Sequence, residues 1–291
     1  MTLIKALAAA ALLTSVAASC TTTAENTQAS IAEEQAASRE LLADMEAQNV
    51  IIKDRGLNNY VNGVVERIAA TRPAGSIPLQ AYIVKDADIN AFTTGGGYLF
   101  INAGLLAAME NEAQFAMVVG HEIGHIDRGH ISAGKANREN AAIAGSLAQI
   151  GAAVAGVNGA VSDMAIGVGQ NLTLSSFSRA QESDADETGF KYDDTAGYNM
   201  TEGARAFEVL NRVYGSGDGD MVAQFFSSHP QSDDRQAALA KMAEEAGSTD
   251  GRIGKKEHDR ATRELRQEVL EFLESQGRTN EAAQIRRNLR G

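Results

Sequence analysis

The chain contains the motif His121-Glu122-Ile123-Gly124-His125, whose residue types and spacing can support metal chemistry. On an α-helix, residues four apart point in nearly the same direction, so both imidazoles can bind one zinc ion. Glu122 lies one position further round the helix, where its carboxylate can take a proton from metal-activated water instead of binding the metal. The motif therefore predicts a catalytic zinc site with His121 and His125 as ligands and Glu122 as the general base.

A catalytic zinc ion needs a third protein ligand and an open fourth position. His130 is one candidate, but on one continuous helix it would point about 180° away from His121, which favours a structural role. The other is Glu182, which shares a helical face with Arg179 and Asp186 through spacings of three and four. We expect Glu182 to bind zinc, Asp186 to accept the outward N–H of a ligand histidine, and Arg179 to neutralise part of the carboxylate charge.

Together these motifs resemble the zinc metallopeptidase family of the CaaX prenyl protease, HtpX and BepA. The resemblance covers roughly residues 50–245 and rests on HEIGH, on Ser-Arg-x-x-Glu-x-x-Ala-Asp and on a later Ser-x-His-Pro with an arginine. It also includes Asn90-Ala91-Phe92 and the turn Gly95-Gly96-Gly97-Tyr98. It implies a gluzincin core of the α+β class, mainly α-helical, with a small β-sheet beside the zinc helix. The implied activity is endopeptidase cleavage of exported or membrane-associated proteins.

The resemblance gives His229 a role, because the loop carrying His-Pro lies near the zinc cleft in relatives. His229 either stabilises the oxyanion or fills the open coordination position and holds the enzyme off; a purely structural loop histidine is the alternative. The run Tyr98–Ile101 is interpreted as a sheet edge that can bind an extended substrate by strand addition, although many such strands bind nothing. The residues expected to contact substrate are Asn90, Gly96, Tyr98, Leu99 and Phe100.

Helices and short strands must position these residues. Apolar residues at helical spacing between Leu57 and Ile68 predict an amphipathic helix that Arg72-Pro73 ends. Strands are predicted at 79–84 and 98–101, and helices at 110–131, 178–192 and 201–213. The expected organisation is a signal peptide at 1–19, a flexible tether at 20–30, a metallopeptidase domain at 31–246, and a linker with a helical tail at 247–291.

Composition excludes several other functions. The 291 residues include 26 Lys and Arg against 38 Asp and Glu, which gives a net charge of −12. Such an acidic chain repels phosphate backbones, so we expect no nucleic-acid partner. With one cysteine, the chain can form neither an internal disulfide framework nor a four-thiolate metal site.

That cysteine, Cys20, ends an N-terminal stretch with a basic start and an apolar run, as in an export signal. Val16-Ala17-Ala18-Ser19-Cys20 resembles a bacterial lipobox, in which the cysteine is acylated; an ordinary secretory signal with an incidental cysteine is the alternative. Thr21 at the next position, instead of Asp, resembles outer-membrane sorting. We therefore expect a lipid-anchored envelope protein at the outer membrane, facing the periplasm, with Cys20 as its anchor to the membrane.

An uncharged segment rich in Ala and Gly follows the zinc motif at residues 141–162. Its 22 residues are long enough to span a bilayer, but Ala and Gly contribute little to insertion. A buried or membrane-touching helical hairpin is therefore preferred over a membrane span.

The sequence as a whole predicts a zinc endopeptidase with one Zn²⁺ per chain that cleaves envelope or misfolded exported proteins. Its partners are then protein or peptide substrates, together with an unidentified envelope-assembly partner. The alternative is a non-cleaving lipoprotein chaperone or scaffold with a structural zinc site. The presence of Glu122 argues against that alternative, because a structural zinc site does not need a general base.

Overall fold

The computed structural model describes residues 29–132, 177–214, 225–230, 233–247 and 249–289. This part of the chain is mainly helical with one three-stranded sheet, which confirms the predicted α+β, mainly α-helical class. The predicted signal peptide, Cys20 and the segment 141–162 lie outside the described residues. Among the residues described, no helix is both long and apolar enough to cross a membrane.

Among the described residues, ten helices and three strands are numbered here in chain order; the helical residues at 130–132 and 225–228 are not numbered. Helix α1 covers residues 29–47. The others are α2 (Arg55–Ala69), β1 (Gln80–Val84), β2 (Ala91–Gly95), β3 (Tyr98–Asn102), α3 (Ala103–Ala108), α4 (Glu112–Asp127), α5 (Arg179–Thr195), α6 (Met200–Ala204), α7 (Ala206–Tyr214), α8 (Asp233–Ala246), α9 (Lys255–Ser275) and α10 (Thr279–Asn288). Helix α4 carries the HEIGH motif, and α5 carries Glu182.

The sheet order corrects the interpretation of Tyr98–Ile101 as an edge strand. Strand β3 is central, parallel to β1 and antiparallel to β2. The glycine turn at 95–97 folds β3 back against β2, so these two strands pair as a hairpin. Strand β1 pairs with the other side of β3. In the described part of the chain the strand at the sheet edge beside α4 is therefore β2.

Both faces of the sheet are covered. Side chains such as Ile83 and Leu99 join the main core with α2 and α4. On the opposite face, Phe92 and Phe100 join a second cluster with apolar residues of α1, among them Leu41 and Met45. The sheet is thus held between α1 on one side and the zinc-motif helix on the other.

Helices α4 and α5 approach each other backbone to backbone. A Cβ atom on Gly189 would lie 2.4 Å from the carbonyl carbon of Gly120, and one on Gly124 would lie 2.6 Å from the carbonyl oxygen of Ala185. Only glycine leaves room for so short an interhelical distance. The close approach brings the acidic face of α5 within hydrogen-bond distance of the HEIGH histidines.

The C-terminal tail holds the first turn of α4. The backbone N–H of Ala113 donates to the carbonyl of Ile253 at 3.0 Å, and the Arg252 guanidinium pairs with Glu112. The Asn111 side chain caps the helix by accepting from the Gln114 N–H. These contacts fix the end of α4 that lies farther from the HEIGH motif.

Replacing Gly189 with alanine tests the glycine contact. Because the added methyl group would meet the backbone of Gly120, we expect Gly189→Ala to separate the helices and lower the free energy of unfolding by about 1–3 kcal/mol, with a loss of metal affinity. Gly63→Ala on α2 is the matched control, since a Cβ atom there meets nothing within 4 Å; it should be neutral or stabilising by about 0.5–1 kcal/mol. Chemical denaturation of both purified variants measures the difference. Equal stability of the two would contradict this account of the helix contact.

Candidate metal centre

Three side-chain donors from α4 and α5 meet in the protein interior. Nε2 of His125 lies 3.0 Å from Nε2 of His121 and 3.2 Å from Oε1 of Glu182, and His121 Nε2 lies 3.5 Å from Glu182 Oε2. All three residues are buried. A tetrahedral site with bonds of 2.0–2.1 Å separates its donor atoms by about 3.3 Å, so these three atoms fit the ligand set of a zinc ion.

The outer nitrogen of His121 donates to a carboxylate. Nδ1 of His121 lies 2.8 Å from Oδ1 of Asp186, so the proton on Nδ1 leaves Nε2 free to bind a metal. Burial alone would raise the pKa of Asp186, but Arg235 and His121 hold it below its usual range. The structure places Asp186 in the position expected from its spacing to Glu182.

The arginine beside these carboxylates is Arg235, not Arg179. Arg235 donates to both carboxylate oxygens of Asp186 at 2.7 and 2.8 Å and lies 2.5 Å from Glu182 Oε2. Arg179 is the exposed first residue of α5, and the structure gives it no contact with either carboxylate among the residues described. The expected role of Arg179 is therefore corrected. Its spacing places it on the same face of α5 as Glu182, but its side chain is exposed to solvent. The cation that contacts the two carboxylates is Arg235 of α8.

Glu122 lies beside the donor atoms and is 1% exposed. Burial raises the pKa of its carboxyl group, against the opposing effect of His229 and His121. Neither carboxylate oxygen has a hydrogen-bond partner among the described residues. A buried carboxyl group is costly to leave unpartnered, so Glu122 is suited to contact a group that enters the site from outside the chain.

Glu182 lies in the same buried environment. Burial by itself would raise its pKa, but the neighbouring His121, His125 and His229 together hold the pKa of Glu182 well below its usual range. The pKa of His125 is lowered, chiefly by burial. A neutral imidazole and an anionic carboxylate are the protonation states that metal ligands require.

His229 joins this group from the segment before α8. Its Nδ1 lies 3.1 Å from His121 Nε2 and 3.2 Å from Glu182 Oε1, while Nε2 lies 3.4 Å from Glu122 Oε1. The potential ligand atoms of His121, His125, Glu182 and His229 all lie within 4.8 Å of one another. Both roles considered for His229 remain open on this geometry, because it contacts the ligands and the expected base.

The residues expected to bind substrate have different surroundings. Asn90 is fully buried just before β2, and its amide has no hydrogen-bond partner in the described part of the chain. Gly96 lies in the hairpin turn against α1, where its N–H donates to Glu34. On the central strand, Tyr98 stacks on Tyr82, and the last two expected contacts, Leu99 and Phe100, are buried on opposite faces.

Sequence reasoning missed two side chains that contact the metal ligands. Arg235 belongs to the Ser-x-His-Pro motif with an arginine, but a pattern in one sequence does not show which carboxylate an arginine meets. Phe177 stacks on the His125 ring with 3.8 Å between ring centroids. Its position immediately before the Ser178 cap of α5 is the only sequence signal that we find for it.

The fold and the donor set define a metallopeptidase of the HEXXH type, with both histidines on one helix and a glutamate on the next described helix. The chain belongs to Peptidase family M48, whose model matches residues 56–243. This family membership confirms the resemblance on which the sequence interpretation relied.

Similar proteins include several bacterial proteases, each matched over part of its length. The putative beta-barrel assembly-enhancing protease of Vibrio cholerae is 29% identical over 171 residues, covering 56% of this chain and 35% of that protein. Metalloprotease LoiP of Escherichia coli is 29% identical over 161 residues, or 54% of this chain and 60% of LoiP. Metalloprotease YcaL of the same organism is 26% identical over 183 residues, or 62% and 63% of the two chains. The matches thus span less than two thirds of each relative.

The ligand assignment predicts which substitutions remove the metal. His121→Ala, His125→Ala and Glu182→Ala should each lose nearly all bound zinc, because three protein ligands leave no redundancy. Glu187→Gln is the control: Glu187 lies on α5 as well, but is exposed and paired with Lys191. Elemental analysis of the purified proteins gives the zinc content. Normal zinc in Glu182→Ala would remove Glu182 from the ligand set.

Proposed function

We propose that this chain is a zinc metalloendopeptidase that cleaves envelope or misfolded exported proteins. One observation carries the proposal: three donor atoms of His121, His125 and Glu182 converge beside the buried carboxyl group of Glu122, whose oxygens accept no hydrogen bond from the described residues. Membership of a metallopeptidase family supports the reaction class, and the relative named for beta-barrel assembly supports substrates in the envelope.

The residues of the site have two roles in the proposed reaction: three of them hold a metal ion, and Glu122 moves a proton. A zinc ion held by His121, His125 and Glu182 would polarise the peptide carbonyl and activate the attacking water. Glu122 accepts the proton of that water and then passes it to the departing amine. Burial raises the pKa of the Glu122 carboxyl group, which makes its carboxylate a stronger base towards the attacking water.

Strand β2 is the proposed site for an extended substrate. It lies at the sheet edge next to the zinc-motif helix, so a peptide added there would run past the metal ligands. Asn90 precedes β2 and offers an amide donor and acceptor that no described residue uses. We therefore assign substrate contact to Asn90 and β2, and not to the central strand β3.

Cys20 is the proposed anchor. Its lipobox-like setting supports acylation, and the relative named as a putative beta-barrel assembly-enhancing protease supports a place in the cell envelope. A protein tethered in this way at the outer membrane and facing the periplasm would meet exported proteins. Several acyl chains would give a firm attachment, since one chain alone binds membranes only marginally.

The rival function is a chaperone or scaffold that holds envelope proteins without cutting them. Such a protein needs the metal ligands for stability but has no use for Glu122. Cleavage of an unfolded protein such as casein by the purified protein, with and without a chelator, separates the two. Binding without cleavage in the zinc-loaded protein would support the rival.

Glu122→Gln tests the base directly. The amide keeps the size of the side chain but cannot accept the proton, so turnover should fall by about 10²–10⁴-fold while zinc content and thermal stability remain. Glu187→Gln, an exposed change of the same type, should leave turnover unaltered. Casein cleavage and elemental analysis provide the two measurements. Near-normal turnover in Glu122→Gln would move the base to another residue.

His229 is proposed to fill the fourth ligand position in the resting protein. Its Nδ1 faces His121 and Glu182, and a histidine there occupies the position that a catalytic site must keep open. His229→Ala should then raise the rate of casein cleavage without lowering zinc content. If His229 instead stabilises the oxyanion, the same change should lower turnover by about a hundredfold or more. An unchanged rate would leave His229 with neither role.

A further inference from the structure

We infer that His130 is a positioning residue for the metal centre: it accepts the Nδ1–H of His125 and so fixes which nitrogen of that ring faces the metal. The inference rests on the proposed zinc centre, but it assigns a role to a histidine that neither the ligand set nor the proposed mechanism uses. His130 is buried and lies 2.9 Å from His125, with their two Nδ1 atoms in contact.

The two nitrogens of His125 face different partners. Nε2 points to the donor group, 3.0 Å from His121 Nε2 and 3.2 Å from Glu182 Oε1, and Nδ1 points to His130. A metal-binding nitrogen carries no proton, so the ring proton of a neutral His125 ligand must lie on Nδ1. His130 Nδ1 is then the acceptor. The proton of His130 lies on its Nε2, which faces Asp184 Oδ2 at 3.5 Å.

The nitrogen of each histidine that faces away from the donor group has its own partner, and each of these two partners leads to an arginine. For His121 the partner is Asp186 itself, which Arg235 holds. For His125 the partner is the imidazole of His130, which faces Asp184, and Asp184 in turn pairs with Arg128 at 3.1 Å. Outer partners of this kind orient metal ligands. Here one is an anion and the other a neutral ring.

A break in the helix places His130 beside His125. Helix α4 ends at Asp127, and Gly129 takes a φ of +64°, a conformation that favours glycine. On an unbroken helix the side chain at 130 would point about 180° away from His121. The left-handed turn instead returns the imidazole to the ligand side.

The hydrogen bond supplies a constraint that packing alone does not. Phe177 stacks on the His125 ring, with 3.8 Å between centroids and 26° between planes. Stacking fixes the plane of the ring, but a rotation of about 180° around the Cβ–Cγ bond keeps that plane. This rotation would put a carbon atom where the ligand nitrogen Nε2 should be. A partner specific to Nδ1 disfavours the flipped orientation, and among the described residues His130 holds that position.

Two substitutions that introduce side chains of nearly equal shape test whether His130 acts as a hydrogen-bond acceptor or only through packing. In His130→Asn the amide oxygen can replace Nδ1 as an acceptor, whereas in His130→Leu no acceptor remains. We expect His130→Leu to weaken zinc binding by about 10–100-fold, and His130→Asn to restore most of that loss. Competition with a chromophoric chelator measures zinc affinity. Equal, wild-type affinity in both variants would overturn the inference, as would an equal loss in both.

His258→Leu is the matched control for lost packing. His258 is also fully buried and makes two hydrogen bonds, to Tyr60 and to the carbonyl of Met109, away from the ligands. Its loss should reduce thermal stability while zinc affinity stays at the wild-type value. If His258→Leu weakens zinc binding as much as His130→Leu, the effect of His130 is general destabilisation and the inference fails.

The unmutated protein provides a measurement that does not depend on the variants folding. In zinc-loaded, ¹⁵N-labelled protein, an N–H···N bond between His125 and His130 should transmit a ¹⁵N–¹⁵N coupling that the N–H···O bond of His121 cannot show. A resolved His125 Nδ1–H without that coupling would overturn the inference. Failure of the zinc centre itself is distinguishable, because wild-type protein would then bind no zinc.

Discussion

The distance between α4 and α5 is the constraint on which the site depends. Gly124 and Gly189 allow the two backbones to touch, and a single methyl group at Gly189 would meet backbone atoms of α4. Gly120 leaves room for the side chain of Asp193 on α5. A wider separation of the two helices would move Glu182 away from the two histidines. The candidate metal site thus depends on its donor residues and also on the absence of side chains at the contact between α4 and α5.

This close contact brings charge into the interior, and the surrounding residues must compensate for it. Glu182 and Asp186 are both buried, and burial alone would raise the pKa of each. Arg235 contacts both carboxylates, so one guanidinium stabilises the third ligand and the partner of the first ligand together. Burying the arginine is favourable only because its donors are used, including one to the carbonyl of Pro230. Arg235 therefore also holds the segment that carries His229.

Helical periodicity explains how much of the candidate site could be predicted from the sequence. Spacings of three and four fix the relative directions of side chains on one helix, so the meeting of His121 and His125 with Glu182 and Asp186 could be predicted. Periodicity fails where the chain leaves regular structure: Gly129 redirects His130, and no spacing rule connects Arg235 to Asp186. The same limit explains the sheet, because the β-prone pattern identified strand β3 but contains no information about which strand lies at the edge.

Segments outside the family match secure both ends of the zinc-motif helix. The match ends at residue 243, yet Arg252 and Ile253 hold the first turn of α4. Beyond its other end, Ser132 donates to Glu34 of α1, which precedes the match and also accepts from the Gly96 N–H in the β2–β3 turn. A helix that carries ligands and base tolerates little displacement, since catalytic geometry is lost with shifts of about 1 Å. The flanking segments thus contact α4 at its first turn and the chain just beyond its last turn, on either side of the residues expected to carry the chemistry.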